Sequence, residues 1–301
     1  MLFEEKTMFA KNFKSCVTLI SGDGLSISAL NTVTDKPLDF VVAQGQQAHT
    51  IGLVRFEDDG SYVKVFSGLE VIKVGQSVKK VNKKKVKRIL NEKLQEMEQE
   101  FIAANPTKEF FLDKESKKAI EADIVFSLLP ETEADDFYNY VVVDTENSIT
   151  YVLNGTKKIS EDIAVFLREV LGTFPVLPFS VHEEAIIKGF DTILEEHEAE
   201  RLTLGNYIKL EDSEGVVVWS KESLYESRAV ELMEDGKHVV AIGLEYDGFV
   251  NFIVDKEFKL SGIKFPKYFN DEEGSFEASV LLCFNEIRGI MQDLIKSTIQ
   301  K

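Results

Sequence analysis

The chain has 301 residues, 44% of them hydrophobic, which is long enough for two or three domains with cores of their own. Its 52 acidic and 35 basic residues leave a formal net charge of −17; this excludes a surface that is basic all over, but not a local basic groove. No apolar run approaches the roughly 20 residues that a membrane span needs, and Met1–Lys14 lacks the apolar core of a signal peptide, so a cytoplasmic protein is expected. Cys16 and Cys283 lie far apart in apolar runs, as buried free thiols of a reducing compartment do.

In chain order, Phe13–Ile20 reads as a strand and Ser21-Gly22-Asp23-Gly24 as a turn. No Lys-Ser/Thr follows to open a helix, so this is not a phosphate loop. Phe40–Ala43 reads as a short strand. Gly52–Phe56 and Tyr62–Phe66 flank Glu57-Asp58-Asp59-Gly60, the pattern of a hairpin in which Gly60 supplies a positive φ. Residues 1–76 are expected to form a first α+β unit.

Composition changes at Ser77. Lys79, Lys80, Lys83, Lys84, Lys85, Lys87, Arg88 and Lys93 stand against Glu92 alone. Val86, Leu90, Leu94, Met97 and Phe101 recur at spacings of 4, 4, 3 and 4, which predicts an amphipathic helix, basic first and acidic after Gln95. Asn105-Pro106 ends it. Lysines at a helix start oppose the macrodipole, at a cost of up to about 1 kcal/mol each. Two readings stay open, a solvated face or phosphate contacts. Asp113–Leu129 reads as a second helix, returning as a helical hairpin and stopped at Pro130. An acidic loop follows, Glu131–Asp136.

Tyr140–Asp144 and Ile149–Leu153 then form a hairpin turned by Thr145-Glu146-Asn147-Ser148. Ser160 is expected to cap a helix that puts Ile163, Phe166, Leu167, Val170 and Leu171 on one face. Gly172 ends it. Gly172-Thr173-Phe174-Pro175-Val176-Leu177-Pro178 runs on as an extended segment, closing a central unit, 77–181.

Charge reverses after Val181: residues 181–250 hold 17 acidic and 6 basic side chains. His182–Glu200 reads as a polar helix. Its His182-Glu183-Glu184 and Glu195-Glu196-His197-Glu198 runs lack the His-Glu-x-x-His spacing, and adjacent residues on a helix point apart, so no metal is expected. Val216–Trp219 reads as a strand and Lys221–Leu232 as a short helix. Lys237–Glu245 and Phe249–Val254 form a hairpin around Tyr246-Asp247-Gly248. Phe276, Ala278, Val280, Leu282 and Phe284 alternate, which predicts a half-buried strand before Asn285 caps a last helix, Glu286–Ile299. Hairpin followed by helix thus occurs twice, and 182–301 is the third unit. The fold class is α+β: several small antiparallel sheets with packed helices and a central helical hairpin. No Gly-x-Ser-x-Gly elbow, P-loop, dinucleotide fingerprint or Cys-x-x-Cys is present, so a non-catalytic protein without cofactors is expected.

Ser127-Leu128-Leu129-Pro130, the hairpin and helix after it, and Leu171-Gly172-Thr173-Phe174-Pro175-Val176-Leu177-Pro178 together resemble the RdgC family. These are recombination-associated, DNA-binding proteins of bacteria and their phages. Ile51-Gly52-Leu53-Val54 resembles a Gly-aromatic-Val segment of that family, with Leu53 in place of the aromatic. The resemblance implies a homodimer closed at both ends into a ring. Duplex DNA would pass through a positively lined hole, bound through phosphates rather than bases. It also implies restraint of a recombinase, at the nucleoid and away from membranes.

Lys221 and Lys237 resemble two ring-lining lysines of the family, although Glu222 stands where relatives have glutamine. After Pro130 relatives place an arginine and an aromatic that touch DNA. This chain has Glu131, Glu133, Asp135 and Asp136, which repel phosphate. Either the loop points away from DNA, or the contact has moved to the lysine-rich helix, or DNA binding is lost. Phe137 and Tyr138 are expected in the core. The expected phosphate contacts are Lys79, Lys83, Lys84, Lys87 and Arg88, with Lys221 and Lys237 by resemblance. The rival reading is an acidic interaction protein of the same fold, a DNA-like decoy for a DNA-binding partner.

Overall fold

The computed structural model describes residues 9–34, 36–220, 224, 228–270 and 275–300. The chain divides into two units, Met1–Lys36 with Arg55–Lys73 and Asn139–Lys301, and Pro37–Val54 with Val74–Tyr138. Two strands, Leu69–Lys79 and Ala134–Asp144, carry the backbone from one unit into the other. The fold class is α+β, as the sequence predicts.

The first unit is built on an antiparallel sheet. Its neighbours run Val216–Ser220, Leu202–Glu211, His238–Tyr246, Val250–Asp255, Leu260–Lys264, Cys16–Ser21, Ile149–Leu153 and Ala134–Asp144. Two of the three predicted hairpins are there. Tyr246 pairs with Val250 around Asp247 and Gly248, both at positive φ, and Asp144 pairs with Ile149. Phe40–Ala43 is not a strand, since a single bridge, Asp39 to Leu53, is all that pairs there. Val63–Phe66 does not close a hairpin across Gly60. It pairs with Leu69–Ile72 through Ser67-Gly68, whose two positive φ angles match the twist of a two-residue turn. Leu69–Lys79 itself is mostly buried on both faces, so it shows no alternation to read.

The run read as a C-terminal strand is helical. One helix spans Phe276–Thr298, with Ser275 Oγ accepting from the Ala278 N–H at 3.1 Å. Val280, Cys283, Phe284 and Ile287 are buried at helical spacing, while Leu282 is half exposed, so the alternation was accidental. Asn285 lies inside this helix rather than capping it. Each fully buried Ile, Leu or Phe contributes about 1.5–3 kcal/mol of apolar burial. Phe9 meets Phe276 edge-on at 5.6 Å, joining the short helix Phe9–Asn12 to the same core.

Two polar clamps fix this helix. Asp144 is fully buried and receives Arg288 Nε at 2.7 Å and Nη2 at 2.8 Å. Arg201 lies 4.7 Å over the Tyr246 ring and donates to Asp293 at 2.9 Å. Gly289 faces that assembly, and a Cβ there would collide with the Tyr246 hydroxyl.

Helix Lys157–Leu171 is capped by Thr156, whose hydroxyl accepts from the Ile159 N–H at 3.3 Å, not by Ser160. Ser160 is buried a turn later and donates to the Lys157 carbonyl. Gly172 ends the helix at φ 79°. Helix Glu183–Glu196 stops at His197, also left-handed, in place of the longer polar helix expected. Of the helix expected over Lys221–Leu232, residues 221–223 and 225–227 lie outside the described residues; a helix is present at Ala229–Glu234.

The second unit carries the helical hairpin, Lys83–Ala104 and Lys114–Leu128. Asn82 and Asp113 cap their starts. Val86 and Leu90 of the first helix bury against Ile124 and Leu128 of the second. Farther out, Phe101 packs on Phe110 at 5.6 Å, and Phe111 is 85% exposed at the turn. Pro130 sits in a 3-10 turn, Leu129–Glu131, and the next strand starts at Ala134. Asp135 and Asp136 are therefore strand residues, in a strand that neighbours Leu69–Lys79, despite poor strand propensity.

Candidate nucleic-acid interface

Burial of Val86 and Leu90 decides where the lysines go. The helix turns its apolar stripe to Ile124 and Leu128, which leaves Lys83, Lys84, Lys87 and Arg88 exposed. Lys83 and Lys87 are one turn apart, as are Lys84 and Arg88, so like charges stack along the surface. Among the described residues no ion pair or side-chain hydrogen bond engages Lys83, Lys84 or Lys87. Arg88 approaches Glu92 at 3.7 Å.

Three further cations of the segment are taken up. Lys79 ends a strand rather than joining the helix, and its ammonium donates to the carbonyls of Gly45 at 2.8 Å and Leu129 at 3.0 Å. Lys85 Nζ pairs with Glu131 at 3.2 Å, and Lys80 Nζ with Asp135 at 3.4 Å. Half of the acidic segment after Pro130 thus faces the basic segment and neutralises two of its lysines. Glu133 and Asp136 are exposed and carry no pair among the described residues. Tyr138 is not in the core: it is half exposed and meets Phe40 edge-on at 5.7 Å, while Phe137 is half buried.

Lys237 lies in the first unit, 15% exposed, with its ammonium 2.6 Å from Asp212 and 3.4 Å from the Gly215 carbonyl. The Lys237 hydrogen bond, then the Gly215 N–H, holds the Asp212 carboxyl below the usual carboxylate range. Lys221 lies outside the described residues. The two units differ in charge. The second carries 12 basic and 14 acidic residues, and the first 23 and 38.

Further cations were not foreseen. Lys11, Lys14, Lys264 and Lys267 are exposed in the first unit on segments near the two ends of the chain, which the Ile263 N–H joins through the Lys14 carbonyl at 3.0 Å, a separation at which no local pattern shows. Among the described residues no group of three or more His, Cys, Asp or Glu is placed to hold a metal ion, and no helix is long and apolar enough to cross a membrane. Cys16 and Cys283 are free and buried, and burial pushes the Cys283 thiol up to about 12.

Residues 25–299 match the family described as "Putative exonuclease, RdgC". The chain is similar to a protein named recombination-associated protein RdgC from Mannheimia succiniciproducens, 23% identical over 222 residues, covering 70% of this chain and 71% of the relative. A protein of that name from Haemophilus influenzae is 26% identical over 248 residues, 76% of this chain and 80% of the relative. One from Pasteurella multocida is 28% identical over 156 residues, 51% of this chain and 52% of the relative.

Proposed function

The chain belongs to the RdgC family, and on that premise we propose that it is a recombination-associated protein that binds duplex DNA through phosphates, without reading sequence. The observation that carries the proposal is the trio Lys83, Lys84 and Lys87, exposed on one helix turn with no carboxylate on any of them among the described residues. Arg88 extends the trio. A phosphate reaches Lys237 by displacing Asp212, whereas Lys79 positions the strand end through two carbonyls. Lys221 keeps the role that the resemblance implies. Two copies form a ring around the duplex, and its occupation of DNA restrains a recombinase at the nucleoid.

Backbone contacts of this kind give an affinity that falls steeply with salt and hardly varies with sequence. Charge reversal, Lys83→Glu with Lys84→Glu, is expected to weaken binding to unrelated duplexes alike. Unchanged affinity in that variant overturns the assignment of the helix. Light scattering should return twice the mass of one chain.

The word exonuclease in the family description names a second activity class. The proposal is non-catalytic, so end-labelled duplex incubated with Mg²⁺ or Mn²⁺ should stay full length; shortened products would refute it. The decoy reading is favoured by one observation, the excess of 38 acidic over 23 basic residues in the first unit. It predicts no gel shift at low salt and micromolar protein, with capture of a DNA-binding protein instead.

A further inference from the structure

A groove runs between the helix Lys157–Leu171 and the strand Cys16–Ser21, wholly within the first unit. Its volume is about 270 Å³, a little under the usual range for ligand pockets of about 300–1,000 Å³. Ser160, Ala164, Val165 and Arg168 line it from the helix, and Val17, Leu19, Val176 and Pro178 from the strands. Opposite its pairing with Ile149–Leu153, the strand Cys16–Ser21 has two neighbours: Leu260 pairs with Cys16, and Val176–Pro178 with Leu19–Ser21. Val17 and Thr18 lie between these neighbours without a strand partner on that side, and the groove opens over the break.

The floor is apolar, with Val17, Leu19, Ala164 and Val176 buried. Its two hydroxyls are already engaged. Thr18 donates to the Phe258 carbonyl at 2.6 Å and Ser160 to the Lys157 carbonyl at 2.7 Å, so neither offers a proton to a ligand. The rim is charged. Lys157 Nζ bonds Glu257 at 2.7 Å, and Glu161 acts on the same lysine through space. No carboxylate pairs with Arg168 or Lys259 among the described residues. These two cations mark opposite ends. Lys259 adjoins Leu260, the partner of Cys16, whereas Arg168 Nε donates to the Phe174 carbonyl at 3.2 Å, two residues before Val176. That bond steadies the guanidinium and leaves its two Nη groups for one carboxylate.

An apolar trough with an anchored, unpaired guanidinium at one end suits a ligand with an apolar body and one anionic head. We propose that this groove binds a small aliphatic monocarboxylate, its head on Arg168 and its chain along Ala164 toward Val17 and Thr18. The site shares no residue with the helix Lys83–Ala104 and does not rest on the duplex reading.

Calorimetric titration of the full chain with octanoate, hexanoate and octylammonium tests it. One octanoate should bind per chain. Hexanoate, shorter by two methylenes, should bind about tenfold more weakly. Octylammonium carries the same chain with the opposite charge and should lose at least about tenfold. Arg168→Gln should weaken octanoate at least about tenfold. Val165→Glu sets a carboxylate one turn before Arg168, where it competes for the guanidinium, and should cost a similar factor. Both side chains are exposed, so melting temperatures should match the parent. Lys259→Gln removes an equal charge from the far end and should stay within about threefold. The site is refuted if octanoate fails to bind at millimolar concentration, if octylammonium binds as well, or if either the Arg168 or the Val165 variant keeps parental affinity. It is also refuted if Lys259→Gln loses as much as Arg168→Gln, since that describes a generic cationic rim.

Discussion

Neutralising the two carboxylates that face the basic segment, Glu131→Gln with Asp135→Asn, should strengthen duplex binding. In the parent, Lys83, Lys84 and Lys87 carry no pair among the described residues, while Lys85 and Lys80 are paired at 3.2 Å and 3.4 Å. The three lysines of one chain contribute about −2.7 to the slope of log affinity on log salt, and five would contribute about −4.5. If both proteins bind equally at about 1 M salt, the variant should bind about 60-fold tighter at about 0.1 M. Glu131→Gln alone should give about eightfold. Both pairs are exposed ion pairs, worth about 0.2–1 kcal/mol each, so the melting temperature should fall by a few degrees at most. Anisotropy titrations across a salt series measure the slope. Glu133→Gln with Asp136→Asn is the control: it changes net charge equally but frees no lysine, so its slope should match the parent. Equal slopes for parent and Glu131/Asp135 variant would refute the idea that these carboxylates mask phosphate contacts.

Three predictions concern stability. Gly289→Ala should destabilise by about 1–3 kcal/mol through overpacking against Tyr246, and Tyr246→Phe in the same chain should recover part of it, as read from urea midpoints. Arg288→Ala should cost about 3–5 kcal/mol, because Asp144 stays buried without its cation, keeping only the Glu146 and Asn147 N–H groups and the Asn147 amide; a loss below about 1 kcal/mol would contradict the clamp. The Lys64 hydrogen bond holds Asp59 down to about 2, below its ordinary 3.8. A depressed carboxylate stabilises fully above its ordinary value, and that contribution disappears as pH falls through the folded one. Lys64→Met should therefore lower the urea midpoint at about pH 6, and the gap to the parent should close near about pH 2.

Local chemistry made parts of this fold legible. Asp247-Gly248 and Gly172 need positive φ and were found from residue type alone. Apolar spacing located the helix Lys83–Ala104, and Asn105 its end. Errors came where two patterns coincide. Alternate apolar residues from Phe276 to Phe284 also place Val280, Cys283, Phe284 and Ile287 on one helix face, and packing chose the helix. Ser160 resembled a cap, but Thr156 lay one turn earlier with the same chemistry. At the candidate site the cations were visible and their state was not. Lys85 and Glu131 are 46 residues apart, and Lys80 and Asp135 are 55, so the neutralising contacts belong to tertiary structure.

The fit of Gly289 to the Tyr246 hydroxyl has a consequence for descent. A lineage that keeps tyrosine at position 246 loses stability with any side chain at 289, and one that trades the hydroxyl away lessens that penalty. The residue at 246, 43 positions away in sequence, thus sets how freely position 289 can change. Substitutions on the opposite, exposed face of that helix drift without such a tie.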